Sequence, residues 1–208
     1  MIKEMKQQLI KDAIVNETKK QFLEKGINKT TLRAVAKELG IAVGNIYYYF
    51  KSKDDICGII WCDFTHEYLD QFDAQLEADE LKTKSGLNKL RHYYEHLFNY
   101  FENNPLYADI IAFSMGEKPR YLRLPKEIKK IAKIARTRIQ KTLVSLYNEG
   151  IKDGSIKAEI PNIWYEAWSF NISYVAIIIN IIRYHEIGED VYDYYVSMYM
   201  NRLAKNGG

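Results

Sequence analysis

Proline and glycine are scarce in this chain, whose 208 residues include four prolines and eleven glycines. Both residues are frequent in the turns of β proteins, so their scarcity favours long helices. Cysteine is scarcer still, with only Cys57 and Cys62. Two cysteines are too few for a small protein whose fold is held together by several disulfides. Five residues apart on a helix, the two side chains point about 140° apart. They are predicted to be reduced thiols in or near the core, with redox sensing as the alternative.

The sequence also lacks a secretion signal and a long apolar run. Charged residues occur throughout residues 1–14, where a signal peptide would have an apolar core. The most apolar stretch, Tyr174–Ile182, is interrupted by Asn180 and is far shorter than the ~20 residues that a bilayer-spanning helix needs. The sequence therefore predicts a soluble, cytoplasmic protein with no membrane partner.

A large excess of one charge sign is also missing, since the formal net charge is +3. The charge is nevertheless uneven. Residues 1–56 contain eleven Lys or Arg against seven Asp or Glu, and the remainder contains nineteen against twenty. This modest positive excess near the N-terminus is typical of a nucleic-acid-binding element, although its size alone does not identify one.

Hydrophobic residues recur with a helical period almost throughout, and no strand-like alternation with hairpin signals is present. We therefore predict an all-α fold of about nine helices. Their predicted ranges are about 5–25, 30–39, 43–49, 53–75, 86–102, 105–115, 126–149, 161–185 and 189–204. A polar link at 78–86 and a loop at 116–125 separate some of them.

The short turn Gly40-Ile41-Ala42 joins the second and third predicted helices. Such a turn holds two helices at a steep angle only if apolar side chains lock them together. Ile46 and Phe50, spaced i,i+4, form a suitable inner face on the third helix. The pattern predicts a helix-turn-helix whose third helix enters the DNA major groove. The alternative is an ordinary αα-hairpin whose tyrosines simply pack.

The side chains left around the outside of the third helix suit DNA recognition. Asn45 can pair with an adenine edge, Val43 can touch a thymine methyl group, and Gly44 lets the backbone approach closely. Lys53, which begins the fourth helix, would add its charge to that helix's free N–H groups as a phosphate clamp. The full set of predicted DNA contacts is Thr31, Arg33, Val43, Gly44, Asn45, Tyr47, Tyr48, Tyr49, Lys51 and Lys53.

A longer motif surrounds this turn. It comprises Phe22 and Gly26, Thr30-Thr31, Arg33, Val35-Ala36, Gly40, Gly44-Asn45-Ile46-Tyr47-Tyr48-Tyr49-Phe50 and Lys51-Ser52-Lys53. In these positions, residues 14–56 resemble the DNA-binding domain of tetracycline-repressor (TetR) family regulators. Ala42 stands where the family often has a capping Ser, Val43 replaces a polar residue and Asn45 replaces Thr. Val43 and Asn45 lie on the outer face of the third helix, which is predicted to contact the bases. The resemblance therefore does not imply an operator sequence.

The resemblance implies a homodimeric, non-enzymatic transcriptional regulator. It would be a repressor, released from a palindromic double-stranded DNA operator by a small hydrophobic or aromatic effector. Residues 1–52 would form the DNA-binding domain, and residues 53–208 would bind the effector and dimerise through the last two helices. No cofactor is expected. The predicted dimer contacts are Trp164, Ile172, Val175, Ile179, Ile182, Tyr195 and Met198.

Aromatic residues crowd the middle helices beyond what self-packing requires, which predicts an aromatic-lined cavity. For any single residue, core packing is the alternative. His92 and His96, spaced i,i+4, could share a metal or a ligand carboxylate, but no third ligand is evident and no metal is predicted. The predicted lining is Trp61, Phe64, Tyr68, His92, His96, Phe98, Phe113 and Trp168.

The alternative function is a DNA-bound structural or cell-division factor on the same scaffold, with a protein partner and no ligand. An enzyme is not expected, because the sequence has no Gly-rich phosphate loop, metal triad or nucleophile elbow.

Overall fold

The computed structural model describes residues 2–114, 124–184 and 188–205. Within these ranges the regular elements are helices, which confirms the predicted all-α class, and Ile156 and Ala204 make one isolated β-bridge. A short π-helix, Asn180–Tyr184, directly follows the helix that ends at Ile179. The helices are α1 (Ile2–Lys25), α2 (Leu32–Glu38), α3 (Val43–Tyr49), α4 (Lys53–Glu77), α5 (Asp79–Lys82), α6 (Gly86–Asn103), α7 (Pro105–Ser114), α8 (Lys126–Asp153), α9 (Ile163–Ile179) and α10 (Glu189–Leu203).

The nine predicted helices correspond to α1–α4 and α6–α10, with most ends within a few residues. The additional helix, α5, is a single turn of four residues inside the predicted polar link. The predicted helix ends at 115 and 185, and most of the predicted loop 116–125, fall outside the described residues. Helical periodicity was therefore a sufficient guide to the long elements, whereas one isolated turn carries no such period.

The chain packs into two compact units. The first comprises Met1–Phe64 and Asp109–Lys133, and the second comprises Thr65–Ala108 and Ile134–Gly208. The predicted boundary after residue 52 marks where the sequence motif ends. The first compact unit continues through the first three turns of α4, to Phe64, because the apolar face of α4 does not end with the motif. The same unit also includes the later segment Asp109–Lys133.

In the first unit, α1, α2 and α3 share one small core. Ile14, Val35 and Ile46 are completely buried, and Phe22 and Phe50 are each 2% exposed. These residues come from all three helices and from the residue that follows α3. The predicted inner face of α3, made by Ile46 and Phe50, is thus confirmed as scaffold.

The turn between α2 and α3 depends on a backbone conformation that favours glycine. Gly40 has a φ of 65°, in the left-handed region. This conformation lets the Ile41 amide donate to the Ala36 carbonyl at 3.0 Å, and the Gly40 amide donate to the Lys37 carbonyl at 3.2 Å. The last carbonyls of α2 are satisfied in this way, and the chain reverses into α3 within three residues.

The second unit has a core built largely of aromatic rings. Tyr93 lies edge-on to Phe72 and Tyr94, with both pairs of ring centroids 5.1 Å apart. Tyr94 in turn contacts Tyr174 at 4.8 Å, and the Tyr174 hydroxyl donates to the Tyr94 carbonyl. Burial raises the pKa of Tyr93, Tyr94 and Tyr174, which keeps these phenols neutral.

One helical stretch in the described part of the chain, Ile163–Tyr184, is long and apolar enough to cross a bilayer when judged by length and composition. The apolar run predicted from sequence, Tyr174–Ile182, was therefore too short. Core helices of soluble proteins can be equally long and apolar. Of the most apolar 18 residues in this stretch, 39% are buried within the chain. The rest of its apolar surface lies outside the chain's own core.

Replacing Phe50 with Ala should remove the largest apolar side chain that locks α3 in place. Because Phe50 is 2% exposed, we expect the free energy of unfolding to fall by about 3 kcal/mol or more. Urea denaturation followed by circular dichroism measures this change. Tyr48→Ala, at a position that is 73% exposed, is the control and should change stability by less than about 0.5 kcal/mol. Equal effects of the two substitutions would contradict the assigned inner face.

Candidate nucleic-acid interface

The outer face of α3 presents a mixed polar and aromatic surface. Tyr48 is 73% exposed and Tyr47 is 52% exposed. Gly44 and Asn45 are also exposed, whereas Val43 and Tyr49 are half-buried. Six of the predicted DNA contacts therefore lie around one short helix whose inner side is anchored in the core. This helix can approach a groove without exposing its apolar contacts.

The start of α2 lies at the edge of this surface. The Thr31 hydroxyl accepts a hydrogen bond from the Ala34 amide at 3.2 Å and so caps the helix. Thr30 points inward, and its hydroxyl contacts the Gln21 and Gly26 carbonyls at 3.1 and 3.0 Å. Arg33, one residue into α2, is exposed. Thr31 thus has a structural role in addition to the predicted contact with DNA.

The start of α4 is fixed by the predicted pair of Ser52 and Asp55. The buried Asp55 carboxylate accepts from the Lys51 amide at 2.7 Å and from the Ser52 hydroxyl at 3.1 Å. A carboxylate in the first turn also complements the positive end of the helix dipole. This cap leaves the Lys51 side chain exposed while its backbone is held.

The Lys53 side chain differs from its predicted orientation. Its ammonium group donates to the carbonyls of Ile27 and Thr30, the latter at 3.1 Å, and lies 5.7 Å from the centre of the Phe113 ring. Lys53 thus forms an internal tie between α4 and the α1–α2 turn, and its predicted contact with a phosphate stays a prediction. The tie forms because carbonyls of that turn lie within reach of the four-carbon side chain.

Gly44 has no packing reason to be glycine. It lies inside α3, and a Cβ atom built on it would meet nothing within 4 Å. Glycine inside a helix costs about 0.5–1 kcal/mol of stability relative to alanine. An open glycine on the exposed face is what close approach of a ligand to the helix backbone requires.

Lys11 of α1 was not among the predicted contacts, yet it lies beside α3. Its ammonium group is 5.9 Å from the centre of the Tyr49 ring. Tyr49 in turn lies edge-on to Tyr48, with ring centroids 4.9 Å apart. Only the packing of α1 against α3 brings Lys11 here. The spacing of basic residues along α1 was the one signal that could have suggested it.

The predicted pocket residues are divided between the two compact units, and the cavity itself stays a prediction. Trp61, Phe64 and Phe113 belong to the first unit, where the Lys19 ammonium group lies 4.3 Å from the Phe64 ring centre. In the second unit, Tyr68 stacks on His96 at 5.0 Å, while Phe98 packs against Tyr192 at 4.2 Å. Trp168, also in the second unit, is half-buried.

A glutamine bridges the two histidines that were predicted as possible ligands. Gln75 contacts His92 through its Oε1 atom at 2.8 Å and His96 through its Nε2 atom at 3.3 Å. The second ring nitrogen of His96 lies 3.2 Å from the Tyr68 carbonyl. Burial lowers the pKa of His96 and so favours the neutral ring. His96 is therefore committed to interactions within the unit.

The predicted dimer residues divide into exposed and buried positions. Trp164, Ile172 and Met198 are 43%, 45% and 49% exposed, although all three are large and apolar. Val175, Ile182 and Tyr195 are half-buried. Ile179 is only 4% exposed and so belongs to the core of its own unit, while its predicted dimer contact stays a prediction. The sequence could not separate the two faces because α9 is apolar nearly all round.

Comparison with known proteins identifies the family to which the α1–α4 arrangement is related. Residues 14–57 match the family model described as bacterial regulatory proteins, tetR family. An uncharacterized HTH-type transcriptional regulator from Haemophilus influenzae is 30% identical over 94 residues, which cover 45% of this chain and 48% of that protein. The matched region thus spans about half the length of that relative.

One further relative and one solved structure match over more of the chain. The HTH-type transcriptional repressor KstR2 of Mycolicibacterium smegmatis is 24% identical over 150 residues, covering 72% of this chain and 69% of that protein. The crystal structure of the transcriptional regulator FadR from Bacillus subtilis in complex with stearoyl-CoA is 15% identical. It covers 90% of this chain and 96% of its own, with a TM-score of 0.68. The similarity to FadR establishes a shared fold.

Replacing Gly44 with Ala should separate stability from recognition. The added methyl group meets open space, so the free energy of unfolding should rise by about 0.5–1 kcal/mol. Affinity for duplex DNA should fall, because the methyl group would stand between the α3 backbone and the groove. Thermal unfolding and fluorescence anisotropy with labelled DNA measure the two effects. A more stable variant that binds DNA unchanged would show that the α3 backbone does not approach the duplex closely.

Proposed function

Because this chain belongs to the tetR family of bacterial regulatory proteins, we propose that it is a cytoplasmic transcriptional repressor that a small-molecule effector releases from its operator. The observation that carries the proposal is the exposed face of α3, fixed from behind by Ile46 and Phe50. A helix of this kind inserts into the major groove, where each base pair presents a distinct pattern of donors and acceptors.

The proposed recognition divides between base edges and the DNA backbone. Asn45 would read an adenine edge and Val43 would touch a thymine methyl group. The Tyr47 and Tyr48 hydroxyls would bond to bases or phosphates. Arg33 and Lys51 are exposed beside this face and would neutralise phosphates, which would make binding sensitive to salt. Thr31 and Tyr49 complete the proposed set at its edge.

The exposed apolar residues of α9 and α10 support a homodimer. Trp164, Ile172 and Met198 are large apolar side chains at the surface of a single chain. Monomeric proteins rarely expose such clusters, and a second copy would cover them through a self-complementary contact. A dimer would also place two copies of α3 on a palindromic operator with half-sites about one DNA turn apart.

The aromatic core of the second unit supports an effector with an apolar body and at least one polar group. The Tyr94 hydroxyl and the Asn171 Oδ1 atom are buried there without a hydrogen-bond partner among the described residues. Buried polar atoms normally have a partner, and an effector could supply one. The relative FadR, which has the same fold, was crystallised with stearoyl-CoA, a molecule with a long apolar chain.

The effector would act by favouring one of two arrangements of the dimer. In our proposal it binds more tightly to the arrangement in which the two copies of α3 no longer match adjacent major grooves. The coupling free energy equals the difference between its affinities for the two arrangements, so a ligand that bound both equally would release nothing. α4 contributes residues to both units. We propose that it links the bound effector to α3.

A second candidate function is a DNA-bound structural or cell-division factor that binds a protein partner and no small molecule. The close mutual packing of Tyr68, Phe72, Tyr93 and His96 favours it, since these rings already contact one another. Thermal-shift screening against acyl thioesters, sterols and planar aromatics distinguishes the two. A hit that also weakens DNA binding supports the repressor, and a partner protein recovered only on DNA supports the alternative.

Replacing Tyr48 with Ala should weaken binding to a duplex selected from a random DNA pool by the wild-type protein. We expect a loss of about 5- to 150-fold, equivalent to about 1–3 kcal/mol, because a base or phosphate contact is removed. Anisotropy titration at fixed salt measures it. Leu23→Ala, at an exposed position on α1, is the control and should bind like the wild type. Unchanged binding by Tyr48→Ala would show that the DNA-contacting surface does not include Tyr48, contrary to the proposal.

Replacing Ile172 with Glu should convert the dimer to a monomer. A charge placed on the apolar face of α9 would have to be buried in the contact between subunits, which is strongly unfavourable. Light scattering after size exclusion measures the mass, and circular dichroism checks the fold. Leu23→Glu places the same charge on another exposed apolar position, in α1, and should remain dimeric. A folded Ile172→Glu dimer would show that this face is not the interface.

A further inference from the structure

α1 extends well beyond the core that it helps to build. It begins at Ile2, but its first buried residue is Ile14. Residues 2–13 therefore form a helical extension about 18 Å long, at 1.5 Å per residue. Its length is not needed for packing of the first unit, so its surface is available for another role.

The exposure of this extension varies around the helix. Between residues 2 and 13, Gln7 and Lys11 are half-buried while the other side chains are exposed. They are four residues apart, so they lie on one face, and Lys3 precedes them by the same interval. We call Lys3, Gln7 and Lys11 the N-terminal row. The apolar side chains Ile2, Met5 and Leu9, which are 61–71% exposed, lie on a different side.

The N-terminal row begins beside the reading helix. The Lys11 ammonium group lies 5.9 Å from the Tyr49 ring centre, and Tyr49 contacts Tyr48. Tyr48 is the most exposed aromatic side chain of α3. A continuous surface therefore leads from the outer face of α3 to Lys11 and along α1 to Lys3. A duplex held by α3 would lie against the start of this surface.

We propose that the N-terminal row is a second DNA contact, which binds backbone phosphates next to the stretch read by α3. The proposal rests on the proposed function as a DNA-binding regulator. Lys3 and Lys11 are about 12 Å apart along the helix axis, a length over which one DNA strand carries about three to four phosphates. Gln7, between them, can donate its amide N–H groups to a phosphate oxygen.

The acidic residues of the extension do not interrupt this row. Asp12 accepts a hydrogen bond from Gln8 at 2.8 Å, and both residues are exposed one position beyond members of the row, about 100° around the helix. Glu4 lies three residues before Gln7 and seven before Lys11, so it borders the row on the side of Lys11. The row itself presents two cations and one amide, which suits phosphate and carries no base preference.

The test compares three single substitutions, Lys3→Gln, Lys11→Gln and Lys20→Gln. Lys20 is exposed and nine residues beyond Lys11, which places it on the opposite side of α1. All three remove one positive charge per chain. Binding to the duplex selected by the wild-type protein is titrated at several salt concentrations, with circular dichroism to check helix content. Hydroxyl-radical footprinting maps the protected backbone.

Because log affinity falls as log salt concentration rises, each row variant should make this negative slope shallower by about 1.8 if a dimer loses two phosphate contacts. It should also lose protection at the outer edges of the footprint, and Lys11→Arg should restore both. Lys20→Gln should behave like the wild type. Row variants that match Lys20→Gln in slope and footprint would overturn the proposal while leaving the regulator intact. Failure of the wild-type protein to select any duplex would instead overturn the proposed function.

Discussion

The reading helix α3 is too short to be stable by itself, and this constraint shapes the whole first unit. A helix of seven residues is far below the length at which isolated helices persist in water. Ala42, at its N-cap position, has no side chain that could cap it. Its existence therefore depends on burial of Ile46 and Phe50 against α1 and α2. The same burial leaves the opposite face free for recognition, so stability and function are divided between two sides of one helix.

Polar ties around this small core hold the neighbouring turns in place. Thr30 joins the end of α1 to the turn before α2, and the Lys53 ammonium group contacts two carbonyls of the same turn. Asp55 fixes the start of α4 through the Lys51 amide. Each tie gives a backbone group near the core a polar partner, and leaving such a group unpaired is costly. Together they determine where α4 begins relative to α3 within the first unit.

Local patterns in the sequence were sufficient for most of the helices and for the inner face of α3, because helical period and turn glycines act over a few residues. Contacts made by long side chains across the fold were not predictable in this way. The Lys53 ammonium group turned inward to carbonyls of Ile27 and Thr30, and Lys11 reached Tyr49 from another helix. Ile179 proved to be core because an all-apolar helix does not reveal which side is covered. Each of these outcomes depends on a partner distant in sequence.

The central claim is that α3 of each subunit reads a major groove of duplex DNA. Methylation interference on the selected duplex tests it most directly, because methylation of guanine N7 blocks the major groove and methylation of adenine N3 blocks the minor groove. The account predicts interference from N7 methylation at two symmetric clusters about one helical turn, or a whole number of turns, apart. Interference confined to adenine N3, or to a single asymmetric cluster, would contradict it.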